Sequence, residues 1–219
     1  MTVVAPTLDQ ERALLAERPL VFGLDEVGRG ALAGPVTIGA SVVDAEAIAS
    51  PVPDGLRDSK LVPAGRRADV AQRAAGWVRA SALGWATAAE VDEAGIIRAL
   101  GLAAVRALAA LEEQGYAPAT GVVLLDGNHD YISPVRGGGL DVRTVVKGDR
   151  DCASLAAASV LAKVARDDLM VRLHDDAPAY EWASNKGYAS ATHRSAIRDH
   201  GLSAHHRHSW AIADAPALF

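Results

Sequence analysis

The chain has 219 residues, half of them hydrophobic and 22% charged, enough to bury a substantial core within one folded unit. Its formal net charge of −5 argues against a protein that coats nucleic acid by overall positive charge, since phosphate neutralisation by Lys and Arg supplies most non-specific affinity. A single cysteine, Cys152, excludes an internal disulfide, and residues 1–9 lack the basic and apolar stretches of a secretory signal, so a cytosolic location is expected.

In chain order, the first elements are two apolar runs rich in β-branched residues, 20–24 and 35–43, with glycines among residues 28–34 between them. A strand hairpin is expected. A helix is predicted to start near Pro63 and run through Arg66, Val70, Ala74 and Trp77, before a third strand over residues 81–87. Ile97, Leu100, Ala104, Leu108 and Leu111 recur at helical spacing, and Arg98 and Arg106 within that stretch mark an amphipathic helix and not a membrane span. Residues 122–125 and 143–146 read as short strands separated by a loop containing Gly137, Gly138 and Gly139. Leu155, Ala158, Ala162, Ala165 and Leu169 then share one side of a long helix whose small residues allow close packing on the sheet. Strands first, then strands alternating with helices, indicate an α/β fold with a mixed sheet. With no internal repeat or linker, residues 1–219 read as a single domain.

Three predicted strands run into acid: Asp25-Glu26, Asp126-Gly127, and Lys147-Gly148-Asp149. The C-terminal edge of an α/β sheet is where side chains from neighbouring strands converge while the loops stay free to admit a ligand. Asp beside Gly is also ordinary turn chemistry, most of all at Asp126-Gly127-Asn128. Two adjacent acids after an apolar run are harder to explain that way, because they repel one another and are costly to desolvate without a cation. Oxygen ligands suit Mg²⁺ or Mn²⁺, and no Cys/His spacing suggests zinc. Neighbours in a regular strand point to opposite faces, so Asp25 and Glu26 are expected to share a site only where the strand breaks, with Gly28 and Gly30 permitting the break.

Five segments, taken in order, resemble the ribonuclease HII family of bacteria. They are Asp25-Glu26-Val27-Gly28-Arg29-Gly30 with Ala33-Gly34-Pro35-Val36; Asp58-Ser59-Lys60-Leu61; Leu125-Asp126-Gly127; Lys147-Gly148-Asp149 leading to residues 157–164 and Arg166-Asp167; and Lys186-Gly187-Tyr188 with Thr192-His193-Arg194. The resemblance implies a ribonuclease H-like fold: a mixed five-stranded sheet flanked by helices over residues 18–175, with a helical C-terminal, substrate-binding portion over residues 176–219. It implies Asp25, Glu26, Asp126 and Asp149 as the catalytic, metal-binding set, holding two Mg²⁺ or Mn²⁺ ions about 4 Å apart. Asp151 competes for the fourth place but reads as a helix-start residue.

The implied activity is endonucleolytic: hydrolysis of the RNA strand of an RNA/DNA hybrid, and cutting 5′ of single ribonucleotides in duplex DNA, leaving 3′-hydroxyl and 5′-phosphate ends. Gly28, Arg29, Gly30 and Tyr188 are implied to read the junction between a ribonucleotide and the deoxyribonucleotide after it. Lys60, Ser159, Lys163, Lys186, His193 and Arg194 complete the expected substrate contacts. Only phosphate positioning is expected of the basic ones. His200, His205, His206 and His208 have no acid or cysteine in close support and are not read as a metal site, and the tail departs from the family's arginine-rich ending, leaving the role of Arg207 open. The chain is expected to be a monomer without membrane partners; Leu218-Phe219 reads as a disordered end, with weak docking to a replication clamp as the alternative. Alternatives are a type 3 ribonuclease H acting on longer RNA tracts, a ribonuclease H-like transposase or resolvase, and a non-catalytic hybrid-binding module.

Overall fold

The computed structural model describes residues 5–210. The strands are β1 Val21–Val27, β2 Val36–Val43, β3 Ala80–Ala86, β4 Val122–Asp126 and β5 Asp141–Val145. The helices are α1 Asp9–Leu15, α2 Arg67–Trp77, α3 Ala88–Ala94, α4 Ile96–Glu113, α5 Ser133–Arg136, α6 Gly148–Asp151, α7 Ala153–Asp176, α8 Trp182–Asn185 and α9 Ala191–His200. The sheet runs β3-β2-β1-β4-β5. The first three strands form an antiparallel meander, and β4 and β5 then add in parallel to β1.

Alternation along the strands sorts the core into two layers. Phe22, Leu24, Ile38, Val123 and Leu125 pack with the apolar stripe of α4. Val21, Val122 and Leu124 pack with α2 and the alanine-rich start of α7. Small residues let both helices lie close to the sheet. A Cβ on Gly84 would strike the Ala103 carbonyl of α4, and one on Gly39 the Ala158 carbonyl of α7. The C-terminal portion forms a third cluster, in which Tyr180, Trp182, Ala196 and Ile197 close over Leu32, Ala33 and Met170.

Three local readings change. β1 is unbroken through Asp25 and Glu26, which stay in antiparallel register with Gly39 and Ile38 of β2. Asp151 does not cap α7: it ends α6, is exposed, and lies 3.8 Å from Arg150. At the start of α7, Ala153 N donates to the Thr7 carbonyl at 3.0 Å, and buried Glu11 of α1 accepts through Oε1 from Ser154 N at 2.8 Å and Ser154 Oγ at 2.7 Å. Helix α3 went unread although Thr87 and Glu90 form a reciprocal capping box visible as Thr-x-x-Glu. The proposed clamp-docking residues Leu218 and Phe219 lie outside the described residues.

Gly84→Ala is expected to destabilise the fold by about 1–3 kcal/mol through overpacking against backbone. Gly76→Ala, in α2 with open space around it, is expected to be neutral or stabilising by up to about 1 kcal/mol. Urea unfolding of the two variants checks the contrast.

Candidate active site

Leu24 of β1 pairs with Leu125 of β4 in parallel register, so the next residues, Asp25 and Asp126, stand side by side where β4 ends. After β5, the turn into α6 brings Asp149 back to them, and its backbone N–H donates to Asp126 Oδ1 at 3.2 Å. Asp25 is 4% and Asp149 6% exposed. Burial raises the Asp25 pKa well above the ordinary carboxylate range. Hydrogen bonding from Ser159 opposes that rise, and the charges of Asp126, Glu26 and Asp149 add to it. Burial likewise raises Asp126, and raises Asp149 with help from the charges of Asp126 and Asp58.

Glu26 leaves β1 from the opposite face, the side of Leu24 and α4. There Tyr131 is buried, with its hydroxyl lacking a hydrogen-bond partner. Burial, then the charges of Glu26, Asp25 and Asp126, push that hydroxyl well above the usual phenol range. Glu26 thus faces the other acids electrostatically from across the strand end. Among the described residues, no three His, Cys, Asp or Glu side chains form a closed ion cage. The donor chemistry nevertheless fits a hard divalent cation, because several carboxylates held partly out of water at one sheet edge gain most from a concentrated positive charge. Lys60 supplies some of that charge internally: its ammonium lies 3.5 Å from Asp149 and 3.9 Å from Asp58. Burial works to lower the Lys60 pKa, but those two acids outweigh it and the net shift is upward.

Beside the acids a cavity of about 520 Å³ is lined by Glu26, Gly28, Arg29, Lys60, Arg67 and Tyr188, among others. A second, of about 510 Å³, shares Arg67, Lys163 and Tyr188 with it and continues to Lys186. Together they make one groove. Gly28 has φ +86°, and a Cβ there would collide with the Arg166 guanidinium, so only glycine fits. Its N–H donates to the Tyr188 hydroxyl at 3.2 Å. The Tyr188 ring lies 5.8 Å from the Lys163 ammonium and 5.5 Å from the Arg166 guanidinium.

The remaining expected contacts divide. Arg29 is exposed at the groove, 3.4 Å from Glu26. Lys163 pairs with Asp167 at 2.6 Å, and the Lys186 ammonium is turned onto the Ala183 carbonyl. Arg194 is half-buried on α9. Two expectations are corrected. Ser159 is 3% exposed, and its hydroxyl donates to Ser59 Oγ at 3.0 Å, so it is a packed residue beneath the acids and not an open contact. His193 is fully buried, with Nδ1 2.8 Å from the Tyr188 carbonyl and Nε2 within reach of Trp182 and His206. Sequence reasoning missed Asp58, Arg67, Arg166 and Arg207 as site components. Asp58 and Arg166 lay inside quoted motifs, whereas no local pattern marks half-buried Arg67 or separates buried Arg207 from a surface arginine.

A mixed sheet with buried carboxylates where β1 and β4 meet defines the ribonuclease H-like class of α/β proteins. The family described as Ribonuclease HII matches residues 22–213. Ribonuclease HII of Streptomyces griseus is 46% identical over 96% of this chain and 86% of its own length. The ribonuclease H2 structure from Pyrococcus horikoshii superimposes with a TM-score of 0.70 at 25% identity, covering 89% of this chain and 95% of that one. Bst-RNase HIII in complex with Mn²⁺ gives 0.69 at 22% identity, covering 86% of this chain and 66% of that one. The chain belongs to the ribonuclease HII family. Among the described residues, no helix is long and apolar enough to cross a membrane.

Burial, then the neighbouring His193, hold His206 down at a pKa of about 4. A histidine whose folded pKa lies below its unfolded value of about 6.5 costs stability as pH falls through that unfolded value, until the folded value is passed. The stability difference between the wild type and His206→Gln is therefore expected to shift against the wild type by up to about 3 kcal/mol between pH 7 and pH 4. Chemical denaturation across that range measures it.

Proposed function

We propose that this chain is an endoribonuclease that hydrolyses the RNA-containing strand of RNA/DNA hybrids and cuts on the 5′ side of single ribonucleotides embedded in duplex DNA. The observation that carries this reading is the joining of three mutually repelling carboxylates, Asp25 and Asp149 buried and Asp126 half-buried, to a groove that holds a glycine loop against a tyrosine. Asp25, Glu26, Asp126 and Asp149 would hold Mg²⁺ or Mn²⁺, two ions when loaded, which supply Lewis-acid activation of water and stabilisation of the departing 3′-oxygen.

The protein's own groups bind and orient the strand. The Gly28-Arg29-Gly30 backbone can approach a sugar closely because no Cβ intervenes, which suits recognition of the 2′-hydroxyl. Tyr188 presents a ring beside that loop on which the following deoxyribose can rest, disfavouring a more polar ribose there. Lys60, Lys163, Lys186, Arg194 and the newly located Arg67 carry positive charge along the groove, positioning phosphates without reading sequence. The products keep a 3′-hydroxyl and a 5′-phosphate. The enzyme works in the cytosol as a monomer, with the C-terminus available to a replication clamp.

The family match over residues 22–213 and the 46% identity to the Streptomyces griseus ribonuclease HII support type 2 specificity over type 3. A hybrid-binding module would have no use for carboxylates buried at a cost in folding energy. Incubation with a duplex containing one ribonucleotide, with and without divalent cation, tests the reading. Metal-dependent products cut 5′ of the ribonucleotide are expected, and cleavage of ribonucleotide-free DNA would overturn it.

Asp25→Asn is expected to abolish cleavage yet raise the unfolding temperature in chelator at neutral pH. A carboxyl group whose pKa is raised by folding destabilises the fold while ionised, and the amide removes that charge. Asp149→Asn is also expected to abolish cleavage, and full activity in that variant would move its role to Asp151. Tyr188→Ala is expected to lower cleavage at single ribonucleotides more than in long RNA tracts, measured as the ratio of kcat/KM on the two substrates.

A further inference from the structure

We propose that His206 and Arg207, consecutive residues in the segment after α9, are positioning residues that set the gap between the Gly28-Arg29-Gly30 loop and Tyr188, and so determine preference for a ribonucleotide followed by deoxyribose. The proposal rests on the reading of that loop and Tyr188 as the junction-sensing pair.

Arg207 holds the loop from behind. Its Nη1 donates to the Arg29 carbonyl at 2.7 Å, and its Nη2 to those of Gly28 at 2.6 Å and Gly34 at 3.3 Å. The side chain is fully buried, and the guanidinium stacks 4.6 Å from the Trp210 ring centre. Burial, then the nearby Arg166, bring its pKa down to about 10, so it stays charged at neutral pH. Among the described residues no carboxylate pairs with it, and the partial charges of three carbonyl oxygens take that place. Backbone bonds fix its own position: Arg207 N donates to the Leu32 carbonyl at 2.9 Å, and Gly34 N to that of His205 at 2.8 Å.

His206 reaches the other half of the pair through a hydrogen-bond relay whose directions follow from chemistry. An indole N–H only donates, so the 3.1 Å contact from Trp182 makes His193 Nε2 an acceptor and leaves the His193 proton on Nδ1. That Nδ1–H donates to the Tyr188 carbonyl at 2.8 Å. At the far end, Ser203 N donates to His206 Nδ1 at 2.9 Å, which puts the His206 proton on Nε2. His206 Nε2 then donates to His193 Nε2 at 3.0 Å, sharing its lone pair with Trp182. Both rings are fully buried and both must be neutral, because a further proton would set two N–H groups head to head.

Two adjacent side chains therefore grip the two reading elements separately, one by three carbonyls of the loop and its exit, the other through the Tyr188 backbone. Gly28 N donates to the Tyr188 hydroxyl, and Leu32 N and Ala33 N at the loop exit donate to the Gly187 carbonyl at 2.8 and 3.2 Å, so the two elements touch directly at both ends. Their spacing is held from behind as well, where Arg166 of α7 adds a second brace by donating to the Ala33, Pro35 and Lys186 carbonyls.

The test compares full-length Arg207→Lys, His206→Gln and Tyr188→Ala with wild type on a duplex bearing one ribonucleotide and on a continuous RNA/DNA hybrid. Lysine keeps the charge but loses the fork that spans three carbonyls. The kcat/KM ratio of the two substrates is expected to fall in Arg207→Lys and His206→Gln by up to about a hundredfold, the loss that a displacement of about 1 Å in a positioned site can produce. If both variants are folded by circular dichroism and keep the wild-type ratio while Tyr188→Ala loses it, the positioning role is overturned and the junction reading stands. If Tyr188→Ala also keeps the ratio, the junction reading fails and the proposal falls with it. Nitrogen-15 spectra of the wild-type histidines test the relay without any variant. Neutral His193 protonated on Nδ1 and neutral His206 protonated on Nε2 support it, and a charged ring or the opposite tautomer overturns it.

Discussion

Burial of like charge at the sheet edge is the constraint on which the rest of the structure depends. Asp25 and Asp126 are neighbours because β1 and β4 pair in parallel register, and that pairing survives only while the apolar faces of both strands stay covered. The proton affinities of Asp25, Asp126 and Asp149 are all raised, chiefly by burial. The fold thus keeps charge where it is unfavourable, and packing of α4 and α7 on the two faces of the sheet offsets the cost. Small residues at those contacts matter for the same reason, since each added methyl would push a helix away from the strands that carry the acids.

The site is also braced by positive charge removed from water. Lys60 sits between Asp58 and Asp149 at the rim, whereas Arg166 and Arg207 are fully buried and each reaches three backbone carbonyls, with the Arg207 Nε alone left without a partner. Stripping a guanidinium of water is costly unless its donors are satisfied, and a planar fork satisfies several carbonyls in fixed directions at once. That is how a loop with a positive-φ glycine and no side-chain anchor of its own keeps one shape. The net negative charge of the chain is compatible with a nucleic-acid groove because Arg29, Lys60, Arg67, Lys163 and Lys186 line it locally.

Much of the site was legible from local patterns. Acid after an apolar run marks Asp25, Asp126 and Asp149, and convergence of neighbouring strand ends predicts that they meet, as the β1–β4 register and the Asp149 N–H to Asp126 bond bring about. The same reasoning erred where it assumed that Asp25 and Glu26 must leave a broken strand on one side. β2 extends beyond β4 and keeps β1 extended there, so the two acids approach from opposite faces. His193 and Ser159 were expected as contact residues from the motifs that contain them, and both are buried. Thr87 and Glu90 carried a readable cap that went unused, whereas the capping of α7 by Glu11 was unreadable because the partners are 143 residues apart.

By itself the order of residues determined the alternation that sorts each strand into two faces, the helical stripe of α4, and the chemical kinds of side chain available at the strand ends. These depend on neighbours within a few positions, where backbone geometry alone dictates which side chains share a face. Tertiary structure alone decided which arginines lose their water, which histidines become a neutral relay, and that residues 203–207 lie behind the reading loop and are no loose tail. Burial and hydrogen-bond direction belong to the packed chain, since they arise only when segments distant in sequence exclude water from one another.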